Sequence, residues 1–132
     1  FPVLWLPAVY YYTIAQADSL SFAELFHDLE TFVQSPEKRW TLCLRAKRGM
    51  KDTSQPGAFY KDQTYFTGNL KVAHWIRKNP ENIDLLYLGK IAVEDIEKLQ
   101  SEKIVTPLLP KMLENKNMYF EKMQNIFRVN GI

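Results

Sequence analysis

Two helix-start signals, Ser21-Phe22-Ala23-Glu24 and Ser35-Pro36, stand directly before apolar runs and constrain the chain more than any other feature. In the first, a serine oxygen and the carboxylate three residues later can each satisfy a free amide at a helix start. In the second, Ser35 can cap while Pro36 takes the first helical position, where a missing N–H costs nothing. Leu25, Leu29, Phe32 and Val33 then trace one face of a helix ending near Gln34. Trp40, Cys43 and Leu44 share the expected inner face of the next helix, which should stop at Gly49. No alternating apolar–polar pattern of useful length occurs. The expected fold is all-α, mainly helical.

The remaining segments fit that class. A helix opens at Pro7 and runs to Ala15; being apolar nearly all round, it should be buried, and Asp18-Ser19 breaks it. A fourth helix is expected from Lys61 to Arg77, before Asn79-Pro80. Its faces are Tyr65, Asn69, Val72 and Ile76 on one side, Leu70 and His74 on another. Asn82 can cap a short helix through Tyr87, and Ala92 to Gln100 forms another with Ile96 and Leu99 inward. Thr106-Pro107 opens the last helix, with Pro110 in its first turn or resetting its start. Met112, Leu113, Tyr119, Phe120, Met123 and Phe127 are its apolar positions.

Composition bounds the function classes. With 132 residues, 46% hydrophobic and 24% charged, the chain is one globular segment with a real core. Seventeen basic against 15 acidic residues, net +2, give no electrostatic case for nucleic acid. The single Cys43 excludes an intrachain disulfide and fits a reducing compartment, so a cytoplasmic location is expected. No apolar run reaches the roughly 18 residues of a membrane span. The stretch Phe1 to Tyr12 carries Pro2 and Pro7 and lacks a basic lead-in and cleavage site, so it is no signal peptide. Opening at Phe1 without a Met, residues 1–132 read as a single helical segment of a larger domain.

Chemistry concentrates between Arg45 and Gly68, a polar loop and helix start. Arg45, Lys47 and Arg48 fall in the last turn of a helix, where cations complement the dipole or form an anion pocket. Asp52-Thr53-Ser54 suits a side-chain-stabilised turn, and Gln55-Pro56-Gly57 a tight one. Lys61, Tyr65 and Gly68 are spaced to share a helical face, and a lysine with a phenol can hold a carboxylate or an oxyanion. Gly68 in mid-helix suggests close approach by a neighbour or substrate. His27 with Glu30 is a possible metal pair, but two ligands make no zinc site. His74 and Cys43 read as structural.

The stretch Arg45-Ala46-Lys47-Arg48-Gly49, Asp52-Thr53-Ser54, Pro56-Gly57, Phe59, Lys61-Asp62-Gln63, Tyr65 and Gly68 resembles the microtubule-associated tyrosine carboxypeptidases and their bacterial QEGLA-motif relatives. Leu20-Ser21-Phe22, Leu25-Phe26, Arg39-Trp40 and Leu88-Gly89-Lys90-Ile91 extend the likeness, which covers Leu4 to Leu99. It implies the C-terminal helical part of a zincin-like metallopeptidase domain. The family's zinc is held by an H-E-x-x-H helix and the glutamate of an E-G-L-A motif. None of these is in this chain, which alone should be inactive. By the resemblance, Arg45, Lys47, Arg48, Thr53, Lys61 and Tyr65 are substrate-binding candidates, with Tyr65 a candidate oxyanion stabiliser. The implied cofactor is zinc bound outside this chain. The implied partners are a peptide or protein C-terminal tail and the remainder of the catalytic domain, with no nucleic acid or membrane. The alternative is a non-catalytic module that grips peptide tails or serves regulation. Ala58 and Tyr60 replace residues common in relatives, so substrate choice is expected to differ; Ala92 replaces an expected serine cap.

Overall fold

The structure, a computed structural model, describes residues 4–96, 98 and 109–132, apart from the Met112 side chain. Leu99, Thr106, Pro107 and that side chain lie outside the described residues. Among the described residues all regular structure is helical, as the sequence predicts. They form two compact units, one Leu4–Gly68 and the other Asn69–Ile132. No helix among them is long and apolar enough to cross a membrane.

The first unit contains α1 (Trp5–Ala17), α2 (Phe22–Asp28) and α3 (Pro36–Ala46), followed by an irregular loop, a 3-10 turn at Tyr60–Asp62 and the start of α4 (Gln63–Lys78). Its core is Val9, Ile14, Ala17, Leu25, Leu29, Val33, Leu42, Cys43 and Ala46, drawn from all three helices and the link after α2. Both start signals operate. The Ser21 Oγ accepts from the Glu24 amide, and the Glu24 carboxylate accepts from the Ser21 amide at 2.8 Å. The Ser35 Oγ accepts from the Lys38 amide at 3.2 Å, with Pro36 at the first helical position.

Four sequence expectations for this unit are corrected. First, α1 starts at Trp5, with Pro7 inside the first turn, where amides lack intrahelical acceptors and proline removes no bond. Second, α1 is not buried all round. Val9, Thr13, Ile14 and Ala17 face the core while Trp5, Leu6 and Tyr11 stay about half exposed. Third, the inner face of α3 is Arg39, Leu42, Cys43 and Ala46. Trp40 and Leu44 lie outside that stripe and are 54% and 51% exposed. Arg39 can occupy it because its stem packs inside while its guanidinium covers the Phe26 ring at 4.7 Å and pairs with Glu30 at 2.6 Å. Trp40 packs edge-on to Phe22 at 4.7 Å instead. The helix after Ser21 also ends early, at Asp28, and Leu29–Thr31 tighten into a 3-10 turn that leaves Phe32 exposed.

The second unit holds the rest of α4, 3-10 segments at Pro80–Tyr87, Val93–Asp95 and Lys111–Leu113, and α5 (Lys116–Asn130). Ala73, Ile76, Ile83, Leu113 and Phe127 form its core. Along α4, Ile76 is buried as expected, but its buried companion is Ala73, whereas Tyr65 and Val72 are exposed. Asn79, not Asn82, precedes the Pro80 segment, and Asn82 marks a kink inside it. Ala92 stands at the start of the Val93 turn without a side-chain cap, and Ile96 is buried. The last helix starts at Lys116, where the Asn115 side chain accepts from the Met118 amide at 3.0 Å, and Gly131 closes it in the left-handed conformation.

Candidate functional site

The loop between α3 and α4 has no regular structure, yet four hydrogen bonds fix it to the first unit. The Phe22 amide donates to the Thr53 carbonyl (2.8 Å), and the Gly57 amide to the Ala17 carbonyl (2.9 Å). The Phe59 amide donates to the Ala46 carbonyl at 2.7 Å. The fourth runs from Lys47 Nζ to the Gln55 carbonyl (2.9 Å), and the same ammonium also donates to the carbonyls of Ala17 (2.9 Å) and Leu20. Lys47 is 2% exposed, and burial pulls its ammonium below the ordinary lysine value. All three of its protons are committed to backbone, so it has none left for a substrate carboxylate. Its place is in the scaffold and not in an anion pocket. Within the loop, the Ser54 amide (2.9 Å) and hydroxyl (2.7 Å) donate to Asp52 Oδ1, the turn that the Asp-Thr-Ser composition suggests. Those bonds hold the Asp52 carboxyl below its ordinary value. Thr53 joins the loop lock through its carbonyl, and the residue is exposed.

Arg45, at the end of α3, meets partners from two distant segments. Its Nε (3.0 Å) and Nη2 (2.6 Å) donate to Asp62 Oδ2, in the turn before α4. Its Nη1 donates to the Tyr10 hydroxyl of α1 at 3.1 Å, and the guanidinium lies over the Tyr10 ring at 4.3 Å. The Asp62 side chain is 7% exposed and the Arg45 side chain 39%. The pair with Asp62 raises the Arg45 value further. A guanidinium has five N–H donors. Three are used here, which leaves one on each terminal nitrogen on a half-exposed side chain. That complement fits the two oxygens of a carboxylate.

The other candidates are arranged differently from the sequence expectation. Arg48 is exposed and stacks over the Phe59 ring at 4.3 Å. Lys61 precedes α4, in the 3-10 turn, so it does not share a helical face with Tyr65 and Gly68. Tyr65 is 58% exposed. Gly68 has no neighbouring atom within 4 Å of an added Cβ, so no close approach among the described residues requires it. Cys43 is fully buried, and burial pushes its thiol up to about 11, which suits a core residue and not a nucleophile. Glu30 is engaged by Arg39, and His74 Nδ1 lies 2.7 Å from the Leu70 carbonyl. Among the described residues no three His, Cys, Asp or Glu side chains gather to hold a metal ion.

Residues 13–130 match the family described as microtubule-associated tyrosine carboxypeptidase. The chain belongs to this carboxypeptidase family. The match reaches well past Leu99, the end of the stretch that carries the motif likeness. Microtubule-associated tyrosine carboxypeptidase 1 of Rattus norvegicus is 40% identical over 135 residues, covering 99% of this chain and 28% of that protein. The Homo sapiens protein of the same name is 38% identical over the same span. The human protein MATCAP2 is 41% identical, again over 99% of this chain and 25% of its own length. The chain thus spans about a quarter of the relatives it matches.

Two residues of the Arg45 cluster carry no signal in the sequence. Asp62 lies next to Lys61 in the motif, but nothing local says that its carboxylate points to Arg45, 17 residues away. Tyr10 sits in an apolar helix 35 residues from Arg45, with no sequence signal beyond being one of three consecutive tyrosines.

Proposed function

We propose that this chain is the substrate-side part of a metallo-carboxypeptidase and that Arg45 holds the C-terminal carboxylate of a peptide. The observation that carries the proposal is the Arg45 guanidinium: fixed from two sides by Asp62 and Tyr10, half exposed, and with one unspent N–H on each terminal nitrogen. Fixing the fork before the ligand arrives lowers the entropy cost of binding. Arg48, stacked over Phe59, and Lys61, in the Tyr60–Asp62 turn, add exposed positive charge, which draws anionic tails without fixing them. Exposed Tyr65 stays a proposed oxyanion donor, and exposed Thr53 a proposed contact of the peptide backbone. Lys47 leaves the set and acts on the loop instead.

The relatives' names supply tyrosine as the residue to test first. Zinc belongs to the proposal through the family resemblance alone, on residues outside this chain. When bound there it would activate water; the part assigned to this chain is to bind and orient the carboxylate.

The test is fluorescence anisotropy with a labelled peptide ending in tyrosine, as the free acid and as the amide. The chain should bind the acid at least about tenfold more tightly, and Arg45→Ala should erase the preference. Equal affinities of the unmodified chain for acid and amide would refute the carboxylate assignment.

A further inference from the structure

The Arg45–Tyr10 hydrogen bond has a consequence for the phenol itself. In that bond the Tyr10 oxygen accepts, from Arg45 Nη1 at 3.1 Å. Its own O–H proton is therefore free to donate, and no acceptor for it is present among the described residues. Tyr10 is half-buried, with its ring beneath the guanidinium at 4.3 Å. The phenolic oxygen thus sits against the same terminal nitrogen that retains an unused N–H. A hydroxyl of this kind, buried along its ring and unpaired at its proton, is poised to donate to an anion arriving at Arg45.

We infer that Tyr10 is a further substrate-binding residue, whose O–H donates to a carboxylate oxygen held by Arg45. The ligand class is a planar carboxylate, and the inference rests on the carboxylate-binding reading above. The two residues divide the work. Arg45 supplies charge and two N–H groups, and the phenol supplies a third, directional donor. Asp62 offsets much of the Arg45 charge at the fork, so the pull on anions comes mainly from Arg48 and Lys61 and does not discriminate among them. Selectivity comes from geometry: the acceptor must reach both the guanidinium and the phenol. A phenol O–H donates without adding a charge to bury.

Tyr10→Phe keeps the ring stacking and removes only the hydroxyl. In the acid-versus-amide titration, this variant should lose about tenfold in affinity for the free acid, as expected for one hydrogen bond to a charged group. Its affinity for the amide should stay within about twofold, and its thermal midpoint should fall by no more than the roughly 2–6 °C that losing the Arg45–Tyr10 bond costs. An unchanged acid-to-amide ratio in Tyr10→Phe, with the unmodified chain still discriminating, overturns the role of Tyr10 and leaves Arg45 standing. Loss of discrimination in the unmodified chain overturns both. A second readout does not depend on the variant's folding. In the chain labelled with carbon-13 at the tyrosine Cζ, the Tyr10 resonance should shift on adding the acid peptide and stay still with the amide. A resonance that ignores the bound acid peptide overturns the inference.

Discussion

Lys47→Met removes an ammonium that donates to three backbone carbonyls and keeps a stem of similar length. The Ala17 carbonyl retains the Gly57 amide as a partner, but those of Leu20 and Gln55 lose the Lys47 donor. Leaving a buried acceptor unsatisfied costs about 1–3 kcal/mol, so the two carbonyls put roughly 2–6 kcal/mol at stake. Two effects reduce that. Both carbonyl sites are only partly buried, and the variant no longer has to desolvate an ammonium, a cost that its three hydrogen bonds already largely offset in the native chain. The net expectation is a loss of about 2–4 kcal/mol. At about 4 °C per kcal/mol for a chain of this size, the midpoint falls by roughly 8–16 °C. Thermal and urea unfolding followed by circular dichroism would measure it. A solvated, substrate-facing lysine would instead change stability by no more than about 0.5 kcal/mol. A change that small, with peptide binding lost, would refute the scaffold role of Lys47 and return it to the anion pocket.

Three further outcomes follow from the same structure. Gly68→Ala should stabilise the chain by about 0.5–1 kcal/mol, because the added methyl meets open space and the helix loses its glycine penalty; destabilisation in urea melts would point to an unseen neighbour. Glu24, whose carboxyl is held below its ordinary value by Ser21, contributes stability that is present above that value and lost as pH falls through the lowered one. The thermal midpoint of the unmodified chain should therefore drop more between about pH 6 and about pH 3 than that of Glu24→Gln, and parallel curves would remove Glu24 from the acid response. Cys43, raised to about 11 and fully buried, should resist a thiol reagent in the folded chain and react at once in denaturant; rapid native-state labelling would contradict its burial.

What the sequence determined by itself is local. The capping box at Ser21, the Ser35-Pro36 start, the Asp52–Ser54 turn and the all-helical class need only neighbours within a few residues, and all four are present. The family, too, was legible, because a specific motif persists in the text of the loop. Tertiary structure alone decided which way the side chains face. Arg39 and Trp40 are adjacent, and only packing against α2 turns the charged one inward and the aromatic one outward. Lys47 looked like its neighbours Arg45 and Arg48 until carbonyls up to 30 residues away closed around it. The Arg45 cluster joins α1, α3 and the turn before α4. No local propensity encodes such a meeting. It exists because burying the apolar faces of α1 and α3 brings one tyrosine, one arginine and one aspartate to the same place.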